Sequence, residues 1–396
     1  MPDPITKLLY APIPKPNEMI PYVLIVLSGF FATWGAGLQQ ITSFDLSKVF
    51  PCLAVLLIFY WAVFVRHKIR AFPPYFNYFM LFVIFHIIVT YAVLFPAEFS
   101  FGITQRFELQ GGFVNFYQGN GMAVARFLLF ALYAYALASL LKTDKMIIAF
   151  ALAYGAGFMT VTLLGGYRVV YGSVYDLRLS AGFLNPNSFG ASALMCIFLN
   201  LFVLTKRGLG KWTKIFAISF IATDILGILL SGSRNCILGL TVGLFVSLLC
   251  TTKIRMKIKL IAWLVVISSF VLLTLPPYVW DVLEARMNIT EKIKSGGIGS
   301  TNVRFAIWED YIREMPKYVF TGVGIYRSQV VTKNSYSTPT NYIPHNRYLH
   351  ILVEFGFIGF LLFMTGIWQL WKRISCHSQK MKKSVSYSVI LGFFSA

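Results

Sequence analysis

Four residues have side chains suited to a phosphorylated substrate: Arg178 in DLRLSAGFLNPNSFG, Arg234 in SGSRN, Arg304 in TNVRF and His345 in IPHNRYLH. A guanidinium group is a planar fork that pairs bidentately with phosphate oxygens. An imidazole titrates near neutral pH and can take the proton of an attacking hydroxyl. Three forks and one base at a single place suit displacement of a diphosphate leaving group. Each residue also has a plainer reading. A lone arginine beside a membrane snorkels to the interface, and a lone histidine at a helix start is a cap or a solvated side chain. Gly182, Pro186, Gly232, Gly322 and Gly324 serve as turn residues under either reading. Conjunction favours chemistry, because each of the four sits in a Gly-, Ser- or Asn-rich turn.

The elements that carry these residues must bring them together. The chain has 396 residues, of which 57% are hydrophobic and 13% charged; a soluble domain is about 25% charged. A water-soluble enzyme, a disordered chain and a disulfide scaffold are excluded, and a polytopic membrane protein remains. Apolar runs of bilayer-spanning length lie near 21–37, 50–65, 75–95, 121–141, 146–164, 189–205, 213–231, 236–251, 259–279 and 346–371, with a shorter run at 385–396. The expected fold is an all-α polytopic membrane protein of about 10–11 transmembrane helices, with one large extramembrane loop containing short helices. Three divisions are expected: an N-terminal transmembrane bundle over 1–276, the loop over 277–345 and a C-terminal transmembrane segment over 346–396. The Pro-rich leader before the first run lacks a small-residue cleavage site and reads as part of a retained first helix.

Alternate connections, beginning with the leader, hold more than half of the 35 basic residues, among them Arg66, Lys68, Arg70, Lys206, Arg207, Lys253 and Arg255. That alternation places the N-terminus on the cytoplasmic side. It also accounts for most of the +20 net charge without nucleic acid. Arg178, Arg234, Arg304 and His345 all fall on the opposite, far side. Within 277–345, Thr301 or Asn302 can cap a helix ending before Pro316. Phe305, Trp308 and Ile312 share one face of it and Glu309, Asp310 and Arg313 the other, so the first three are expected to pack on the membrane-embedded core.

Other polar residues have structural readings. Arg126, Asp224 and Glu354 lie inside spans, where ionisable groups face the bundle interior. Asp224 lies too deep to share a phosphate with Arg234, and a pair with Arg126 is expected. Glu354, nine residues past His345, is placed to orient a water or a polar side chain beneath the site. His350 and His86 read as buried hydrogen-bonding residues. The five cysteines contain no CxxC pair and indicate neither a metal site nor a disulfide framework.

The stretch NVRFAIWEDYIREMPKYVFTGVGIYRS, followed by PHNRYLHILVEFGFIGF, resembles the signature of the bacterial O-antigen ligase and polymerase family. LSGSRNCILGL and RLSAGFLNPNSFGA resemble two upstream segments of that family, in the right order. The similarity covers roughly 165–371, and the His-Asn helix start is its most specific piece. The resemblance implies a multi-pass protein of the bacterial inner membrane. It implies a membrane-embedded glycosyltransferase whose donor is an undecaprenyl-diphosphate-linked glycan and whose site is periplasmic. His345 matches the catalytic position and Arg178, Arg234 and Arg304 the diphosphate-binding positions, with Asn346 and Glu354 supporting. The acceptor is either lipid A-core, for a ligase, or another lipid-linked glycan repeat, for a polymerase. Members usually carry a further span or two after the histidine helix, so an end at Ala396 reads as a truncation. The far side shows no carboxylate pair for a divalent metal, and neither metal nor cofactor is expected. Membrane lipids are the remaining partner. A flippase or exporter of the same lipid-linked glycan is the alternative; it calls for cations through a central cavity and for repeat symmetry. A non-enzymatic assembly subunit would have no reason to gather arginine and histidine at one mouth.

Overall fold

The computed structural model describes residues 16–34, 49–65, 74–88, 103–109, 112–118, 120–141, 143–171, 186–206, 208–250, 300–324 and 346–381, together with 258, 261–262, 269 and 328. The described residues include ten α-helices and one hairpin: α1 (Pro16–Phe31), α2 (Val49–Tyr60), α3 (Pro74–Ile88), β1 (Ile103–Leu109), β2 (Gly112–Gln118), α4 (Asn120–Leu140), α5 (Asp144–Tyr171), α6 (Pro186–Thr205), α7 (Lys211–Ser231), α8 (Arg234–Cys250), α9 (Ser300–Glu314) and α10 (Arg347–Met381). Apart from that hairpin, the protein is an all-α polytopic membrane protein. Among the described residues, four helical stretches are long and apolar enough to cross a membrane: Asp144–Gly165, Pro186–Thr205, Lys211–Ser231 and Tyr348–Lys372. The expected spans 259–279 and 385–396 lie essentially outside the described residues. The hairpin was not anticipated; β1 pairs antiparallel with β2, Ile103 opposite Gln118 and Leu109 opposite Gly112.

The chain divides into two compact units, one of residues 1–68, 133–287 and 378–396 and the other of 69–132 and 288–377. In the first unit, α5, α6 and α7 pack together and α1 lies along α5. Glycines allow the helices to approach, as small residues do between membrane helices. A Cβ on Gly29 would stand 2.9 Å from the Phe150 carbonyl, and one on Gly157 would run into the Phe30 carbonyl. Phe158 and Phe189 stack with centroids 4.8 Å apart, and Gly227 makes room for the Phe189 ring. Outward faces are apolar: Leu56, Phe59 and Phe64 in the second apolar stretch, Phe216 on α7 and Phe245 on α8 are all exposed. Lipid suits such a surface and water does not. Asp224 is fully buried, while the side chain of Arg126, its expected partner, lies outside the described residues.

The second unit is built around α10. Phe82 of α3 stacks on Phe355 at 4.7 Å, and Phe79 meets Phe363 edge to face at 5.8 Å. A second cluster joins α9 to the head of α10: Ile307, Tyr311, Val323 and Val353, flanked by Trp308 and Leu349. This corrects the expected packing face of α9. The buried residues are Ile307, Asp310 and Tyr311, whereas Phe305 is 60% and Ile312 55% exposed. Both sets have helical spacing. The pocket between Val323 and Val353 takes a narrow stripe, and Asp310, expected among the solvated residues, goes in with it.

Candidate functional site

Among the described residues, two structural features neighbour positions expected in the site, one in each unit. The first is a junction of three helix ends. α6 opens at Pro186, whose fixed φ and missing N–H suit a first turn. α7 stops at Gly232, which adopts the left-handed conformation (φ 59°, ψ 27°) and donates its N–H to the Leu229 carbonyl. Ser233 then starts α8, its carbonyl accepting the N–H groups of Cys236 and Ile237, both at 3.1 Å. Its N–H is held by Ser231 Oγ at 3.2 Å, and its own hydroxyl donates to Asn187 Oδ1 at 3.0 Å. Gly190 completes the fit, since a Cβ there would lie 2.7 Å from Cys236 Sγ.

The NPN start of α6 and the SGSR turn are therefore in contact, although 46 residues separate Asn187 from Ser233. Two helix N-termini converge there, and their positive dipole ends favour an anion. Arg234 is the first residue of α8; its side chain, and Arg178 altogether, lie outside the described residues. Elsewhere in the same unit, Lys206 Nζ pairs with Asp144 Oδ2 at 2.8 Å. The start of α5 and the end of α6 thus share one end of the unit, and Asn187 and Ser233 stand at the other end of α6.

The second feature is a helix break. Gly356, inside α10, has φ 62° and ψ −178°, a region open essentially to glycine alone. The break releases backbone groups that an unbroken helix would pair internally, and a remote segment takes them. Val323 N–H donates to the Val353 carbonyl at 2.9 Å, Gly324 N–H to the Glu354 carbonyl at 3.0 Å, and Phe357 N–H to the Val319 carbonyl at 2.6 Å. Gly322 and Gly324 have φ of 71° and 96°, so the G-x-G turn fits against the break with positive φ on both sides. A Cβ on Gly322 would stand 2.5 Å from Gly356 N.

Side chains tie the same region. Glu354 is buried, and its Oε1 lies 2.9 Å from His350 Nε2, one turn earlier on α10. The same oxygen accepts the Ser328 N–H at 3.3 Å. Ser328 Oγ is 3.1 Å from His350 Nε2, and the Ser328 carbonyl accepts the Tyr311 hydroxyl at 2.8 Å. Tyr311 belongs to α9, the helix that carries Arg304. Glu354 is thus committed to holding His350 and Ser328, and it fastens α9 to α10. Neither Ser328 nor Tyr311 was singled out in the sequence, where a serine inside YRSQV carries no signal. At the head of α10, Asn346 caps the helix: its Oδ1 accepts the N–H groups of Tyr348 at 3.1 Å and Leu349 at 3.2 Å. The helix starts at Arg347, so position 345 directly precedes the cap. His345 lies outside the described residues, as does the side chain of Arg304. Among the described residues, no three His, Cys, Asp or Glu side chains are grouped to hold a metal ion.

Residues 215–364 match the family model described as O-antigen ligase. That segment of the chain is similar to an O-antigen ligase domain. It runs from α7 through α9 into α10, and so contains the Ser233 turn, the G-x-G turn and the break at Gly356. The match supports assignment to the O-antigen ligase and polymerase family, with a glycosyltransferase-like activity in a membrane. No curated protein matches the chain.

Proposed function

We propose that the protein transfers a glycan from undecaprenyl diphosphate to an acceptor hydroxyl, on lipid A-core or on a growing lipid-linked repeat, at the periplasmic face of the bacterial inner membrane. The O-antigen ligase match over 215–364 carries this reading, because it encloses Arg234, Arg304 and His345. In the reaction, the acceptor oxygen bonds to the anomeric carbon as the bond from that carbon to the diphosphate oxygen breaks. The acceptor proton passes to His345. The leaving diphosphate departs with its charge offset by Arg178, Arg234 and Arg304. The donor is already activated, so neither metal nor nucleotide takes part. Two observations support the geometry: Asn346 caps α10 directly behind position 345, and the two helix starts at Asn187 and Ser233 converge beside Arg234.

The test is single-turnover transfer by purified protein, with lipid-linked donor and each acceptor class, in EDTA. General-base help is typically worth about 10²–10⁴-fold, so His345→Ala should lose transfer on that scale while still binding donor. Loss of donor binding in proportion to transfer would make His345 a phosphate contact instead. A strict divalent-ion requirement would reject the arginine-based mechanism.

A further inference from the structure

The loop helix α9 presents three faces. Ile307, Asp310 and Tyr311 are buried. Glu309 and Arg313 are solvated and pair with each other at 3.1 Å. Between these lies a third, apolar stripe at helical spacing: Phe305 and Ile312, both exposed, and half-buried Trp308, with the Phe305 and Trp308 rings edge to face at 5.3 Å. Phe320, just beyond the helix, is exposed as well. Water solvates the charged face and the core takes the buried one, but exposed Phe305 and Ile312 suit neither.

The anchoring of α9 decides what covers them. Its buried face packs on Leu349 and Val353, within the first turns of the spanning stretch Tyr348–Lys372. Arg347 precedes that stretch and Tyr348 and His350 open it, the tyrosine and basic residue types that mark a membrane–water boundary, ahead of the apolar run that fills the hydrocarbon core. Its first few residues therefore stand in the interfacial layer, and Val353 lies about 8 Å in from Tyr348. Farther along, Phe357, Ile358 and Leu361 of α10 are also exposed, so the lipid-facing surface of the span continues up to the level of α9. Aromatic and aliphatic side chains at that depth, with charged residues on the adjacent face, are the composition of an interfacial helix.

We propose that α9 lies in the membrane interface, with Phe305 and Ile312 against the acyl chains of the bilayer and Glu309 and Arg313 facing water. This rests on the membrane fold and not on the proposed reaction. It has one consequence for that reaction: position 304, one residue before the stripe, stands at the depth of lipid phosphates.

The experiment uses full-length protein in nanodiscs of phosphatidylethanolamine and phosphatidylglycerol, with the five native cysteines replaced. Spin labels at Phe305→Cys and Ile312→Cys should collide several-fold more with oxygen than with a water-soluble nickel complex. Labels at Glu309→Cys and Arg313→Cys should show the reverse. In a second arm, unaltered protein is photolabelled by a phospholipid carrying a diazirine at its acyl terminus, and label is expected in the tryptic segment 305–313. Nickel access at 305 and 312 equal to that at 309 and 313 would place the stripe in water. Shielding of 305 and 312 from both reagents would assign it to a protein partner such as a second copy. Either outcome, or no label in 305–313, overturns the proposal.

Discussion

Gly232 and Gly356 both interrupt apolar helices of this protein, and they do opposite things. At Gly232 the chain leaves α7 in the left-handed conformation, satisfies its N–H three residues back, and starts α8 at Ser233. At Gly356 the helix is kinked and resumes, and its freed carbonyls are paired with Val323 and Gly324 from a segment about 30 residues earlier. The first interruption is self-contained and forms a corner. The second is complete only when another segment arrives, and it welds α9 and the G-x-G turn to α10. A helix end can therefore be repaired locally, whereas a helix break inside an apolar span needs a remote donor, because lipid supplies none.

The largest effect should follow from Gly356→Ala. A side chain in that backbone region costs about 1–3 kcal/mol, and its Cβ would run into the Phe320 carbonyl and stand 2.6 Å from Gly322 N. Most folded protein should be lost, as measured by size-exclusion chromatography in detergent. A near-normal monodisperse yield would mean that the 319–324 segment can leave the break without consequence.

An intermediate effect is expected for Glu354→Ala, which removes the acceptor shared by His350 and the Ser328 N–H. A buried polar group left unpaired costs about 1–3 kcal/mol, so the thermal midpoint should fall by several degrees. Glu354→Gln keeps an oxygen for the Ser328 N–H and should fall less. Equal loss in both would show that charge, and not hydrogen bonding, ties the two helices.

The smallest effect belongs to the corner. Gly232→Ala puts a Cβ in the left-handed region at about 1–2 kcal/mol, while Gly232→Asn should be close to neutral, since asparagine visits that conformation. The contrast sharpens if asparagine is tolerated at 232 and rejected at 356, where ψ lies outside its range. Rejection at both, read by the same thermal scan, would erase the distinction.

Local signals in the sequence reached the structure well. Pro186 opens α6, Gly232 closes α7, and Asn346 hydrogen-bonds into the helix that follows it. Each depends on backbone groups within four residues. The stretch ILVEFGFIGF reads as continuous span, since glycine is common in membrane helices, and nothing near Gly356 announces a break. The two apolar sets on α9, Phe305 with Ile312 and Ile307 with Tyr311, both fit a helical period. Periodicity could not choose between them.

Composition alone determined that the chain lives in a membrane and, among the described residues, roughly where most of its helices begin. These follow from the cost of polar groups in lipid and from short-range backbone pairing. Tertiary structure alone decided that α10 breaks at Gly356, that Glu354 spends its carboxylate on His350 and Ser328, and that α9 buries Tyr311 and exposes Phe305. The hydrogen bonds that make those choices join residues 17 and 26 positions apart. Their donors and acceptors are ordinary residues wherever they stand, and only the meeting of distant segments gives them partners.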